Sequence, residues 1–171
     1  MFDMSLPVVL QRIELEAKYF YEEEGKIMAS KLSVLREWEI LKAINDAEGD
    51  ERERLLREWG NQTPLSYVLS FNFNSQMKFE LPDGVPPYKR DEATNTDFQG
   101  ALCHVVKRLA NCFPGNKIPK IKKERTFIDV LESVPPKSAD IILAMKDKSL
   151  TELYPNITKE LVQKVFPNFV K

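Results

Sequence analysis

The 171-residue chain predicts a mainly α-helical fold, an irregular bundle of about six to seven helices with a short strand, a turn and a proline-rich crossover near residues 76–90. Three observations lead there. Apolar residues recur at three- and four-residue spacing over most of the chain. Caps and prolines stand where such stretches begin, and glycines and prolines where they end. Only Met77, Phe79 and Leu81 alternate with charged neighbours at the period of a strand.

The first helix is expected from about Leu6 to Glu24, capped by Ser5, with Leu6, Val9, Leu10, Ile13, Ala17 and Phe20 on one face. A second covers about Lys31 to Asn45 and turns Leu35, Trp38, Leu41 and Ile44 inward. Asp50 and Glu53 resemble a capping box for a third, whose apolar face is Leu55, Leu56 and Trp59 and whose stop is Gly60. Thr63-Pro64 opens a fourth, as a cap followed by proline at the first helical position, with Leu65, Val68 and Leu69 as its stripe. The strand at Met77–Leu81 follows, then a turn at Pro82-Asp83-Gly84 and an extended path through Pro86-Pro87.

Thr96 and Gln99 form a second capping box before the cleanest stripe in the chain: Phe98, Leu102, Val105, Val106, Leu109 and Phe113. A helix of about Lys122 to Val134 carries Phe127, Val130, Leu131 and Val134, and Pro135-Pro136 breaks it. One more runs through Ala139, Ile142 and Met145, and the last uses Leu161, Val162, Val165 and Phe166 before Pro167. Residues 1–30 read as an N-terminal helical extension suited to a docking arm, and 31–171 as a single helical domain.

The net charge of -1 favours no class of partner, but its distribution is uneven. Residues 1–60 hold 14 acidic and 9 basic side chains, and residues 101–171 hold 7 acidic and 13 basic. Such asymmetry marks either an interaction surface or two halves that attract each other. Two cysteines, Cys103 and Cys112, give no disulfide framework; nine positions apart on one helix they would face opposite sides. A reducing cytoplasm is expected, with no leader at Met1-Phe2-Asp3-Met4 and no membrane span.

No assembled catalytic set is visible. His104 is the only histidine, and its neighbour Cys103 points about 100° away on a helix, so buried structural thiols are the expectation. The acidic groups Glu22-Glu23-Glu24 and Asp46, Glu48, Asp50, Glu51 and Glu53 lack the register of a calcium loop and read as solvated connections. No cofactor or metal is expected. The sharpest candidate is basic: Lys117, Lys120, Lys122, Lys123 and Arg125 lie within nine residues, with Lys107 and Arg108 ahead of them. Such a cluster suits phosphates or another anionic partner, while a solvated surface or a salt-bridge partner for the acidic half is the commoner fate. Pro86, Pro87 and Tyr88 offer a proline ligand to a protein partner, or a rigid crossover that packs Tyr88 on the bundle.

Leu81-Pro82-Asp83-Gly84 with Pro86-Pro87-Tyr88, Phe127-Ile128 with Leu131-Glu132-Ser133-Val134, Ala139-Asp140, Met145-Lys146-Asp147-Lys148, and Leu161-Val162 with Phe166-Pro167 occur in an order that resembles one family. It is an uncharacterised family of small proteins from contractile-tailed, myovirus-type bacteriophages, including cyanobacterial ones, and the resemblance spans roughly residues 31–171. It implies a phage protein in the host bacterial cytoplasm or the virion, and brings no activity, cofactor or catalytic residue. The expectation is a non-catalytic phage protein that binds a phage or host protein or itself, as an assembly component or accessory factor. Nucleic-acid binding through the 107–125 surface is the alternative, and no membrane is expected as partner.

Overall fold

The computed structural model describes residues 36–90 and 102–171, so the expected first helix, the start of the second, and the box at Thr96 and Gln99 lie outside the described residues. What is described is mainly helical. One buried cluster draws side chains from every region between Ile40 and Val170.

Helix α1 (Glu37–Asp46) opens with Glu37 and Glu39 in its first turn, where carboxylates suit the dipole; Glu39 Oε2 also accepts from the Arg36 main-chain N–H at 2.9 Å. Ile40, Leu41, Ala43 and Ile44 face the core. Helix α2 (Gly49–Trp59) starts earlier than the expected Asp50–Glu53 box requires, with Glu48 at the cap position. Glu53 does not reach back to the cap; it accepts from Arg57 on the next turn and from Lys164 on the last helix. Gly60 ends α2, its N–H bonded to Leu56 O at 2.8 Å. Space makes it glycine: a Cβ there would stand 2.6 Å from Phe166 Cε2.

Helix α3 (Leu65–Phe73) is buried nearly all round, through Leu65, Val68, Leu69, Phe71, Asn72 and Phe73, as suits a central element. The Thr63-Pro64 peptide is cis and Pro64 itself occupies the cap position, so Thr63 is not the cap and Pro64 is not the first helical residue.

The expected strand does not form. Phe79 is buried and Lys78 exposed, but Met77, Glu80 and Leu81 are all half-buried, so the alternation expected of a strand is only partial. No strand lies beside it among the described residues. Its one main-chain bond to another element is Glu80 N–H to Cys112 O at 2.9 Å. Phe79 is held by rings instead, stacked on Phe113 at 4.8 Å and edge-on to Phe71 at 5.9 Å.

The expected long helix after residue 98 is a short α4 (Leu102–Val105) that tightens into a 3-10 segment, Val106–Cys112. Val106, Leu109 and Cys112 are its buried residues. They are spaced by three, which three residues per turn bring into one line and 3.6 would not. Helix α5 (Lys120–Glu132) packs on this segment and begins before the expected Lys122. Helix α6 (Pro136–Asp147) packs on α3 and buries Ser138, Ala139, Ile141, Ile142, Ala144 and Met145. Pro136, expected as a breaker of one helix, sits in the first turn of the next. Lys148, with φ 56, closes α6 in the left-handed region.

A four-residue helix that the sequence did not suggest, α7 (Leu150–Leu153), precedes α8 (Lys159–Val165). Thr158 caps α8, its hydroxyl accepting from the Leu161 N–H. Pro167 stops α8 and starts a 3-10 turn, Pro167–Phe169.

Candidate functional site

Residues 81–90 form a strap fastened to distant elements at both ends. Near its start Lys146 Nζ donates to Pro82 O at 3.3 Å. At its end the Lys89 N–H donates to Glu132 Oε1 at 2.8 Å, and the Arg90 guanidinium donates to both Asp140 oxygens at 3.1 and 2.9 Å. Gly84, with φ 84, makes the turn between. Tyr88 is half-buried against the core, as the crossover reading expects.

Between the fastenings the strap stands off the bundle. A cleft of about 290 Å³ runs beneath it, walled by Leu81–Pro87, by Glu124, Phe127 and Ile128 of α5, and by Lys146 of α6. Val85, on the strap wall of this cleft, is 67% exposed, and Ile121 on α5, outside the lining, is 78% exposed. Ile121 precedes Ile128 by seven positions, about 20° apart on the helix, so it lies on the same side of α5 two turns nearer its N-terminus, beyond the cleft lining. Pro86 is half-buried and Pro87 exposed, both on the strap wall.

The basic run is only partly a surface. Lys107 and Arg108 on the 3-10 segment, Lys117 in the connection, and Lys120, Lys122 and Arg125 on α5 are all exposed. None of these six forms an ion pair with another described residue. They lie on two elements that pack on each other and on the connection between them. Lys123 is the correction to the expected set. It is 1% exposed, four positions before Phe127 and seven before Val130, and so on the core face of α5. Its ammonium donates to the Glu80 carboxylate and to Phe113 O at 2.9 Å. Lys123, and more weakly Lys120, holds the Glu80 carboxyl below its usual range.

The other candidates are accounted for without chemistry. Cys103 is half-buried and Cys112 buried, both as free thiols. Burial pushes Cys112 up to about 11, while burial and then the nearby Glu37 raise Cys103, so neither is poised as a thiolate. Asp46, Glu51 and Glu53 pair with Lys42, Arg54, and Arg57 with Lys164. Among the described residues no group of three or more His, Cys, Asp and Glu side chains is placed to hold a metal ion. No described helix is long and apolar enough to cross a membrane.

Of the residues expected as a partner contact, Pro86 and Pro87 line the cleft and Tyr88 does not; the α5 wall was not expected. Ile121 carried the available signal. It falls outside the stripe of Phe127, Val130 and Leu131, an aliphatic residue in a run of lysines with no core to enter.

The fold and the site define a mainly helical protein with a strapped apolar cleft beside a basic corner. A family model matches residues 40–152, and the chain belongs to that family, a family of unknown function (DUF6433). The matched span contains the strap, the basic corner, α5 and α6. No curated protein and no solved structure matches the chain.

Proposed function

We propose that this is a non-catalytic, phage-encoded binding protein that docks a protein partner, of phage or host, in the cleft beneath the strap. The observation that carries the reading is the pair Val85 and Ile121. Val85, open to water on the strap wall of a largely apolar cleft, and Ile121, open to water on α5 beyond the lining, are what an unoccupied protein-binding surface presents. The phage setting, in host cytoplasm or virion, rests on the motif order from Leu81 to Pro167. The test uses the full chain and its Val85→Asp/Ile121→Asp variant as baits in extracts of infected cells. A partner retained by the wild type and lost by the variant is expected; equal retention by both removes the cleft from the reading.

A second reading has its own support. Six exposed cations at one corner, unpaired among the described residues, suit a phosphate backbone. A mobility shift across salt concentrations tests it. Affinity that falls steeply with salt and disappears with Lys120→Glu/Lys122→Glu/Arg125→Glu is its expected result, and no shift at low salt ends it.

A further inference from the structure

We infer that the cleft takes an extended peptide with one aliphatic anchor and acidic residues on the side that leads over the N-terminal turn of α5. This rests on the protein-binding reading above and names the chemistry of the partner.

Size sets the first constraint. A cleft of about 290 Å³ lies at the lower end for ligand pockets, so it suits a single large side chain rather than a helix face. The backbone sets the second. Among the described residues, the main-chain N–H groups of Gly84 and Val85 make no hydrogen bond. The strap thus offers two adjacent free main-chain donors at its turn, between prolines that have none, which a peptide's carbonyl can take.

Charge sets the third. Inside the cleft the charges are mixed: Asp83 and Glu124 on its lining face Lys146. At the open end cations outnumber carboxylates. Lys120 lies one turn before Glu124, and Arg125 three positions before Ile128, so both flank Ile121 where the α5 wall runs out. Lys117 and Lys122 extend the same sign beyond them. Of the carboxylates nearby, Glu80 is taken by Lys123, and Glu124 and Asp129, one turn after Lys120 and Arg125, form no ion pair with them among the described residues. The first turn of α5 contains no acidic residue, so these cations also oppose the helix dipole. An acidic flank on the ligand relieves both. Nucleic acid fits the same corner less well. The nearby rings are in the core, with Phe127 2% exposed and Phe113 stacked on Phe79, which leaves no platform for bases.

Fluorescence anisotropy with the full chain tests this, using three labelled probes: a peptide with a central Leu-Val pair and a Glu flank, the same with a Lys flank, and the Glu-flanked peptide with Ser in place of the pair. The expected result is binding of the first about tenfold or more tighter than either other. Val85→Asp should abolish it, and Lys120→Glu/Arg125→Glu should weaken it about tenfold and remove its salt dependence. Equal affinity for Glu and Lys flanks overturns the acidic chemistry and leaves the cleft reading standing. Binding of none of the three overturns both. A single-stranded oligonucleotide that displaces the peptide, and itself binds Val85→Asp unchanged, reassigns the corner to nucleic acid and overturns the inference. So does a concentration-dependent dimer abolished by Val85→Asp, which makes a second copy the occupant.

Discussion

Ser138 donates its hydroxyl to the carboxylate of Glu37, joining the first turn of α6 to the first turn of α1 across 101 positions of chain. Both side chains are buried, Glu37 to 5% exposure. Burial raises the Glu37 carboxyl above its usual value near 4.5, against the lowering effects of Ser138, its own main chain and Arg36. Glu39, Cys103 and Tyr154 are the other titratable groups close enough to feel it.

Because the folded state holds that proton more tightly than the unfolded chain, Glu37 favours folding most below its unfolded value. That contribution is lost as pH rises through the folded value. Glu37→Gln keeps an acceptor for Ser138 and removes the charge. It is expected to be more stable than wild type at neutral pH, with the difference shrinking toward pH 4. Urea denaturation of the pair at several pH values measures this, and taking the difference cancels the opposite trend from Asp46, Glu51 and Glu53, whose values are lowered.

Lys122 and Lys123 are neighbours with opposite fates, and substitution separates them. Lys123→Met leaves Phe113 O without its donor and Glu80 without its cation, an expected loss of about 1–3 kcal/mol. Lys122→Met removes only an exposed charge and should stay within about 0.5 kcal/mol of wild type. Chemical denaturation gives both values, and equal losses would contradict the inward placement of Lys123.

Lys148 gathers the frayed end of α3. Its ammonium donates to Phe71 O at 2.6 Å, Asn74 O at 2.8 Å and Met77 O at 2.8 Å, three carbonyls with no strand to pair them. Lys148→Met is expected to lose about 2–3 kcal/mol. Lys148→Gly loses the same bonds but relaxes the left-handed backbone, and should recover about 1 kcal/mol of that deficit. Thermal and urea unfolding of the two variants side by side provide the check.

Where periodicity had a long run, the helices were legible. Phe127, Val130 and Leu131 face the core as their spacing requires, and Ala139, Ile142 and Met145 do likewise. What failed were inferences that needed a partner to be known. The alternation at Met77–Leu81 gives facing only in part and cannot say whether another strand lies alongside; here Phe113 and Lys148 take that place. Phe98, Leu102, Val105 and Val106 read as an α-helical stripe, and only the later spacing of Val106, Leu109 and Cys112 by three fits the tighter helix found there. α7, at four residues, is too short to show a period. For the site, charge density picked out the basic corner but not which lysine turns inward. That depended on Lys123 sharing a face with Phe127, and the register was legible before the structure was.

The strap is a suspended span. Its piers, Pro82 under Lys146 at one end and Lys89 and Arg90 on Glu132 and Asp140 at the other, carry the attachment. Val85 and Pro87 hang between them, exposed. Change at those two positions therefore alters the outer wall of the cleft, where the proposed partner would dock, while the attachments and the helices beneath stay as they are. Such a span allows one scaffold to be refitted to a new partner by a few substitutions, without refolding problems to solve first.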